Sequence, residues 1–394
     1  MKKVALLCFD NPFLPPNEGG KLSMKTRILS LLQCNDVEID IYMMNKPAEG
    51  VVENCIDNIC DDRKWKVKSI MQFQMRFEPW MILSRYPICV NKRYNDECVR
   101  RLREKKYDVA IYEGEHMMKY RLNNDVSADK HVLYMHDVES AYRKESARGE
   151  NRLLIKIAQY VESVKFKLLE KKIDNLFDVI LFISDDERSK LAKNSLCPKK
   201  YVYVPAPSLC GADMYESGPR KSIILYVGDL KVSHNYLSVK WFVENVLVHI
   251  NDAMPSVSMR IVGRISEEDK VTLQRLNNRV HVLGYVEDIN KEYHQAAFFA
   301  CPMLYGAGVK IKTIDALANG QLVVGTSKSI EGTRLKSGIH VLVEDKPHIL
   351  VDKCIDVLKN REKYDYIAKA GWIFVKDNHS LGSQAVILER VINN

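Results

Sequence analysis

Short apolar runs alternate along the chain with longer stretches in which apolar residues recur at helical spacing. The stretch from Lys21 to Leu32 has helical spacing and is predicted to be a helix between the first two runs. Continuous Val, Ile and Leu runs separated by helices are typical of a parallel sheet covered on both faces. The strands predicted in the first half are VALLCF, VEIDIYMM, YDVAIYEG, KHVLYMHD and FDVILFIS.

The same pattern restarts in the second half, after a stretch rich in Pro, Gly and Ser within residues 205–221. A helix is predicted from Leu237 to Ile250, and the predicted strands are SIILYVGDL, MRIVGR, HVLGYV, AFFACPML and LVVGTS. We therefore predict an α/β protein with two Rossmann-like β/α/β domains facing a cleft. In such folds ligands bind at the carboxyl ends of the strands.

Composition and charge narrow the classes of function. The 394 residues are 46% hydrophobic and 28% charged, which is enough for large cores, and the formal charge is +8. This excess is modest for a nucleic-acid binder and suits an anionic substrate or an anionic membrane surface. Ten cysteines without any C-x-x-C spacing favour a reducing compartment, and no D-x-D sequence suggests a metal site.

Neither a signal peptide nor a membrane-spanning segment is predicted from the sequence. MKKVALLCFD is predicted to be a buried first strand because its apolar run is short for a signal peptide and no small-residue cleavage site follows. No apolar run approaches the ~18–20 residues that cross a bilayer. We expect a cytoplasmic protein, in one interpretation peripheral on the inner face of the membrane.

The stretch YGAGVKIKTIDALANG at 305–320 contains a Gly-x-Gly turn that leads into a predicted helix. A dinucleotide fingerprint would place a third glycine where Ile311 stands and an acidic residue after the next strand, where Ser327 and Lys328 stand. An NAD site is therefore disfavoured. A phosphate site fits better, since the start of a helix offers free N–H groups and partial positive charge.

Two lysines and an aspartate give this turn its candidate chemistry. Lys310 and Lys312 place positive charge in the first turn of the helix, where it is unfavourable unless an anion binds. Asp315 lies one turn further and could reach a ribose. The alternative is a solvated Lys312–Asp315 pair at i,i+3, worth ~0.3 kcal/mol.

A series of motifs in the second half resembles the C-terminal domain of GT-B-fold glycosyltransferases, the large family-four group of retaining enzymes. In order, they are YVGDL, the N-x-L-S-V-K-W-F segment at 235–242, IVGR, HVLGYVED, ACP and GAGVKIKTIDALANGQLVVGTSKSIEG. In the first half, FDNPFLPPNEGGKLSMKTRILSLL, YMHDVESAYRK and FISDDERSKL are similar to the family's opening glycine loop, its H-N-V-E or H-D segment and its V-S-x-x-D turn.

The resemblance implies three segments: an acceptor-side domain at 1–210, a nucleotide-sugar-binding domain at 211–374, and a helix at 375–394 that crosses back to the first domain. It also implies a diphosphate held by Lys310 and Lys312. The other donor contacts implied are Gly19 and Gly20 for the diphosphate, Asp315 for ribose, Tyr285 and Val286 for the base, and Gly228, Asp229, Gly263, Gly306, Ala307, Gly308 and Val309 around them. Ala307 departs from the family, which has a sugar-binding glutamate there.

His136, at the end of the strand HVLYM, is predicted to be catalytic together with Lys310 and Lys312. It would position the sugar or the acceptor hydroxyl. The alternative is a histidine bonded to a nearby carboxylate such as Asp137 or Glu139. Glu139 is itself either an acceptor-side base or a charge that stabilises a helix N-terminus.

A basic run and an aromatic segment provide a candidate membrane surface. Arg100, Arg101, Arg103, Lys105 and Lys106 form the run, and FQMRFEPWMILSRY precedes it. Together they could rest on an anionic bilayer and admit a lipid-linked acceptor. The alternatives are a solvated helix face and a cap over the acceptor site.

The function predicted is metal-independent, retaining hexosyl transfer from a nucleoside-diphosphate sugar to a glycan or lipid-linked glycan. By resemblance, this belongs to bacterial cell-surface polysaccharide biosynthesis. The predicted partners are these two substrates, with no cofactor and no nucleic acid. The alternatives are a catalytically silent GT-B subunit that binds a partner or glycan, and a nucleotide-sugar epimerase, which Ala307 does not favour because that chemistry needs carboxylates near the sugar.

Overall fold

The computed structural model describes residues 1–14, 19–46, 61–150, 152–209, 211–217, 220–306 and 308–394. They form two compact units. Unit 1 comprises Met1–Ala206 with Leu381–Asn394, and unit 2 comprises Pro207–Ser380. Each unit contains one parallel sheet, so the predicted α/β class with two Rossmann-like domains is confirmed.

The strands follow the apolar runs of the sequence. They are β1 Lys2–Cys8, β2 Val37–Asn45, β3 Val67–Gln74, β4 Lys106–Glu113, β5 Ser127–Met135, β6 Val179–Phe182, β7 Tyr201–Tyr203, β8 Lys221–Val227, β9 Ser258–Val262, β10 Val280–Gly284, β11 Ala296–Cys301, β12 Val323–Gly325 and β13 Leu342–Val343. The inner strands β1, β4, β5, β8 and β11 contain continuous runs of buried residues, as expected for strands covered by helices on both faces. The edge strands β3 and β10 are partly exposed.

The helices alternate with the strands. They are α1 Gly19–Gln33, α2 Ile88–Lys92, α3 Asp96–Arg103, α4 Met118–Leu122, α5 Glu139–Gly149, α6 Leu153–Glu170, α7 Ile173–Leu176, α8 Asp185–Ala192, α9 Ser233–Phe242, α10 Val248–Ala253, α11 Glu267–Leu276, α12 Ile289–Gln295, α13 Ile311–Ala318, α14 Pro347–Lys359, α15 Asp365–Asn378 and α16 Leu381–Asn393. Within the residues described, no helix is both long enough and apolar enough to cross a membrane.

Several helices begin at side chains that accept hydrogen bonds from the free N–H groups of the first turn. Asn95 caps α3, Ser184 caps α8, Ser266 caps α11 and Asp288 caps α12. Such caps stabilise a helix by about 1 kcal/mol each and fix where it starts. The helix predicted from Leu237 to Ile250 is instead α9 and α10, joined by a π-helical turn at 243–247.

The strand order is what positions a site in each unit. The sheet of unit 1 has the order β3-β2-β1-β4-β5-β6-β7, and that of unit 2 has the order β10-β9-β8-β11-β12-β13. The order reverses between β1 and β4 in the first sheet and between β8 and β11 in the second. In open parallel sheets, ligands bind beside this switch point at the carboxyl ends of the strands.

Helix α16 returns to unit 1 after the whole of unit 2 and packs on α1. The Cys34 thiol, just after α1, donates to the carbonyl of Ala385 at 3.5 Å, and the N–H of Asn35 donates to Glu389 at 3.1 Å. Gln384 also donates to the carbonyl of Pro205 at 3.1 Å. Helix α16 is thus an integral part of unit 1, although unit 2 separates it from the rest of that unit in the sequence.

Candidate functional site

Three glycines shape the turns that follow β8, β9 and β10 in unit 2. A Cβ on Gly263 would lie 2.0 Å from the carbonyl oxygen of Gly228, and Gly263 has φ +133°, so only glycine fits. The N–H of Gly228 donates to Val262, and the N–H of Gly263 donates to Gly284, at 2.9 and 2.8 Å. The turns at Gly228 and Gly263 are therefore packed backbone against backbone beside the switch point.

The Gly-x-Gly turn follows β11 on the other side of the same switch point. Gly306 and Gly308 have φ of +97° and +73°, in the left-handed region that glycine adopts at low cost. The buried Lys310 ammonium donates to the carbonyls of Gly306 and Gly308 at 2.9 and 2.6 Å. Lys310 thus holds the turn closed at the start of α13. Ala307 lies outside the described residues, and Val309 packs partly buried on the core.

Lys312 brings the two sides of the switch point together. Its ammonium donates to the hydroxyl of Tyr226 at 2.8 Å and to the side-chain oxygen of Asn235 at 2.6 Å. It also lies 3.2 Å from the position that a Cβ on Gly228 would occupy. The hydrogen-bonding partners are neutral, and burial lowers the pKa of Lys312 to about 8. The alternative of a solvated Lys312–Asp315 pair is therefore wrong.

Asp315 lies one turn further along α13 and contacts a residue from the beginning of unit 2. The Ser208 hydroxyl donates to its carboxylate at 2.6 Å. Burial raises the pKa of Asp315 to about 6, against the opposing effect of this hydrogen bond. The Asp315 side chain is therefore mainly ionised at neutral pH, where it can accept hydrogen bonds from hydroxyl groups, and becomes protonated below about pH 6.

The remaining predicted donor residues lie at the rim of unit 2. Asp229 forms an ion pair with Arg264 and accepts from the N–H of Lys231 at 3.0 Å. Tyr285 is 89% exposed, whereas Val286 packs partly buried on the core. The exposed ring leaves Tyr285 available to stack on a planar ligand.

In unit 1, His136 is held by a buried chain of polar groups. Its Nε2 lies 2.7 Å from Glu113, whose other carboxylate oxygen accepts from Arg27 at 3.2 Å. The guanidinium of Arg27 lies over the ring of Tyr134, 3.3 Å from its centroid. His136 is thus bonded to a carboxylate, as the alternative drawn from the sequence has it, and that carboxylate is Glu113 on the neighbouring strand β4.

A second carboxylate cluster lies beside this chain. Glu139 begins α5, donates its N–H to the fully buried Glu115 at 2.9 Å, and accepts from Arg143 at 3.2 Å. His116 lies 3.4 Å from the other oxygen of Glu139. Burial raises the pKa of Glu139 and raises that of Glu115 well above its usual range. Glu139 therefore both sits at a helix N-terminus and belongs to a cluster that can hold a proton.

The predicted glycine loop of unit 1 reaches the same end of the sheet. Gly20, in the first turn of α1 after Gly19, faces the ring of Phe9, which a Cβ would approach to 2.9 Å. The ring of Phe9 lies 5.3 Å from the ring of His136 and 5.0 Å from that of His116. The structure thus gathers Gly20, His136 and Glu139 at the carboxyl ends of β1, β4 and β5.

Sequence reasoning missed several residues that make these sites. Glu113 and Arg27 orient His136, while Tyr226 and Asn235 hold Lys312. The sequence does contain a signal for Glu113. It stands at the end of an apolar strand, in YEGEH, and a carboxylate buried there needs a polar or charged partner. Among the residues described, no three His, Cys, Asp or Glu side chains are grouped so as to hold a metal ion.

Comparisons with known proteins agree with this architecture. Residues 221–360 match the family model described as Glycosyl transferases group 1. A Klebsiella pneumoniae protein described as an uncharacterized 44.6 kDa protein in the cps region is 27% identical over 96% of this chain and 97% of its own. The resemblance to a glycosyltransferase domain is confirmed for the 221–360 region by this family match.

Solved structures of glycosyltransferases share the fold. A glycosyltransferase from Rickettsia africae is 13% identical with a TM-score of 0.64, over 99% of this chain and 97% of its own. Anabaena HepE in complex with UDP and glucose is 11% identical with a TM-score of 0.65, over 100% of both chains. WaaG, a glycosyltransferase involved in lipopolysaccharide biosynthesis, is 14% identical with a TM-score of 0.66, over 99% of this chain and 100% of its own.

Proposed function

We propose that this chain, which carries the Glycosyl transferases group 1 domain at 221–360 and has the GT-B fold, transfers a hexosyl group from a nucleoside-diphosphate sugar to a glycan or lipid-linked glycan, with retention. The observation that carries the proposal is the Lys312 ammonium, buried among neutral partners beside the Gly228 turn and the start of α13. A buried cation without a carboxylate partner is costly, and an anionic ligand offsets that cost.

The donor diphosphate would lie at the start of α13. As the glycosidic bond breaks, negative charge grows on the leaving diphosphate, and fixed positive groups aimed at it lower the barrier. Lys312 supplies a full charge, and the free N–H groups of the first turn supply partial charge. Lys310 holds the Gly306–Gly308 turn in shape, so that the backbone is preorganised. Because protein groups supply this charge, we propose transfer without a metal ion.

The rest of the donor would extend from this anchor. Asp315, whose carboxylate already accepts from the Ser208 hydroxyl, is proposed to accept hydrogen bonds from the ribose. Tyr285, exposed at the end of β10, is proposed to stack on the base. UDP is the first nucleotide to try, because the similar HepE was crystallised with UDP and glucose.

His136 is proposed to position the reacting sugar or the acceptor hydroxyl. Its contact with Glu113 fixes the ring, and Glu113 is fixed in turn by Arg27. A ring oriented in this way presents one nitrogen edge in a constant direction, which is what positioning of a hydroxyl needs. Retention is proposed from the resemblance to the family-four enzymes, and the anomeric configuration of the product, read by NMR, tests it.

The biological setting is proposed from two relatives. One is described by its location in the cps region, and WaaG by its part in lipopolysaccharide biosynthesis. Assembly of a bacterial cell-surface polysaccharide at the cytoplasmic side of the membrane is consistent with both.

A binding screen tests the donor site. Melting temperatures measured with UDP, GDP, dTDP, CMP, ADP and NAD should rise with one nucleoside diphosphate, since a ligand of the folded state stabilises it. Lys312→Met should abolish the rise, whereas Lys369→Met, which removes an exposed lysine of α15, should leave it intact. If no diphosphate raises the melting temperature at millimolar concentration, the proposed donor site is wrong.

Transfer itself needs a second measurement. With the identified nucleotide, its hexose conjugates are offered one by one, and release of the free diphosphate is followed with and without a glycan acceptor. Binding of the diphosphate without release from any conjugate would favour the silent-subunit alternative over catalysis.

A further inference from the structure

Helix α6 of unit 1 exposes a continuous row of large aliphatic side chains. The row, called the α6 face, consists of Leu153, Leu154, Ile157, Val161, Val164 and Leu168, which are between 47% and 82% exposed. At about 100° of rotation per residue, these six positions fall within an arc of about 100°. Scattered exposed leucines are ordinary in proteins, but a row along one helix marks an interaction surface.

The same helix is already anchored to its own unit through the opposite side. Ser163, Phe166 and Leu169 are buried, and the Ser163 hydroxyl donates to the carbonyl of Ser140 in α5 at 2.7 Å. The α6 face is therefore additional to the apolar stripe that folding uses. Packing against the described residues of unit 1 does not account for its exposure.

A neighbouring segment extends the α6 face. Residues 77–83, called the Trp80 segment, expose Phe77, Trp80, Ile82 and Leu83, the last at 90%. Lys165 of α6 donates to the carbonyl of Ile82 at 3.0 Å, and Glu162 of α6 accepts from the N–H of Ile88 at 2.8 Å. These contacts hold the Trp80 segment beside the helix.

Around the α6 face, exposed basic residues outnumber exposed acidic ones. Between Tyr142 and Lys172, in the residues described, the exposed basic residues are Lys144, Arg148, Arg152, Lys167, Lys171 and Lys172, and the exposed acidic residue is Glu145. The acidic Glu162 and Glu170 are used internally, by the N–H of Ile88 and by Ser140. Glu150 pairs with Arg152 at 2.9 Å, and Glu78 of the Trp80 segment accepts from the indole N–H of Trp80. The basic residues Lys144, Arg148, Lys167, Lys171 and Lys172 still exceed the exposed acidic residues Glu78 and Glu145. The surface is thus apolar at its centre and positively charged at its edges.

We propose that the α6 face and the Trp80 segment dock on an anionic lipid bilayer. Aliphatic and aromatic side chains enter the boundary between headgroups and acyl chains, while lysine and arginine reach up to anionic headgroups. A second copy of this chain fits less well, because a symmetric contact would bring two positively charged edges together. The surface is distinct from the donor site, and binding does not depend on sugar transfer.

The basic run from Arg100 to Lys106, which the sequence offered as a membrane surface, does not form this edge. Arg103 pairs with Asp125, Lys105 with Asp40, and Lys106 with Asp129. Arg100 and Arg101 lie within ion-pair distance of Glu97. The run is therefore balanced locally, and we assign the bilayer contact to α6 instead.

Co-sedimentation of the full chain with vesicles tests the proposal. The protein should bind phosphatidylcholine vesicles that contain about 30% phosphatidylglycerol, and bind pure phosphatidylcholine far more weakly. Ile157→Glu with Val164→Glu should lower the partition coefficient at least about tenfold. A matched control, Leu196→Glu with Leu276→Glu, adds the same charge at exposed leucines that belong neither to α6 nor to the Trp80 segment, and it should retain binding within about twofold.

Three outcomes would overturn the proposal. They are absence of wild-type binding to the anionic vesicles, equal losses in the α6 variant and the control, and a wild-type dimer in analytical ultracentrifugation that the α6 variant converts to a monomer. The last result would assign the surface to a second copy. Far-ultraviolet circular dichroism and diphosphate binding of the α6 variant establish that it is folded, so a loss of vesicle binding remains interpretable.

Discussion

Replacement of Lys312 by methionine separates the binding role of the ammonium from its effect on stability. Burial lowers its pKa from 10.5 to about 8, which corresponds to about 3 kcal/mol that the charged form costs in the folded state at neutral pH. Methionine fills similar space without the charge, but the side-chain oxygen of Asn235 then loses its donor, at about 1–2 kcal/mol. We expect the free protein to gain about 1–2 kcal/mol.

The gain and the loss are measured on the same sample. For a unit of this size, a gain of about 1–2 kcal/mol in the free energy of unfolding corresponds to a rise of about 2–8 °C in the melting temperature of unit 2 without ligand. The affinity for the diphosphate should fall about 10–100-fold at the same time, which is the value of a charged hydrogen bond. Differential scanning calorimetry and isothermal titration calorimetry give the two quantities.

The pH dependence checks the physical cause. Because the folded pKa lies below the unfolded value, the unfolded chain binds a proton that the folded chain lacks between about pH 8 and about pH 10.5. The free energy of unfolding of the wild type should therefore rise relative to that of the Lys312→Met variant as pH increases through this window. Above the window, the part of the difference that is due to charge should vanish. A variant that is less stable than wild type at pH 7 by about 1 kcal/mol or more would refute the reasoning.

Three further changes test other parts of the two units. Gly263→Ala should lower the melting temperature by several degrees more than Gly284→Ala, because a Cβ would lie 2.0 Å from a carbonyl oxygen at the first position and meet nothing within 4 Å at the second; similar melting temperatures would contradict this packing. Diphosphate affinity should fall as Asp315 is protonated below about pH 6. Ser208→Ala should shift this loss of affinity to higher pH, because it removes the hydrogen bond that lowers the pKa of Asp315. If calorimetric titrations show the same dependence of affinity on pH in the variant and the wild type, Asp315 does not contact the nucleotide. His136→Gln should reduce turnover about 100-fold and leave UDP affinity within about twofold, and a variant with full turnover in a product-release assay would exclude a catalytic role.

The sequence predicted the two sheets because parallel strands buried on both faces are long apolar runs, as in VALLCF and AFFACPML. It also predicted the Gly-x-Gly turn and the helix that ends near Asn319, since glycine and helix periodicity are local signals. The partners of Lys312 were not predictable in this way. Tyr226 and Asn235 lie 86 and 77 positions away, and only the strand order brings them to α13.

The exposed row on α6 shows a second limit. LLIKIAQYVESVKFKLLE has apolar residues on two sides of the helix, so periodicity alone does not say which side packs on the unit. The π-helical turn at 243–247 and the contact between Arg27 and Glu113 likewise depend on neighbours far along the chain. Tertiary packing, which no local pattern encodes, decided each of them.

The glycine turns of unit 2 extend the hydrogen-bond ladder beyond the strands themselves. The N–H of Leu230 donates to Arg264, as Gly228 does to Val262 and Gly263 to Gly284. These turns are consequently a continuation of the sheet with fixed length, and an inserted residue would break the ladder rather than lengthen a loop. Ligand preference in this chain is then a matter of the side chains at rim positions such as Asp229 and Tyr285, which the backbone of the turns presents at fixed positions.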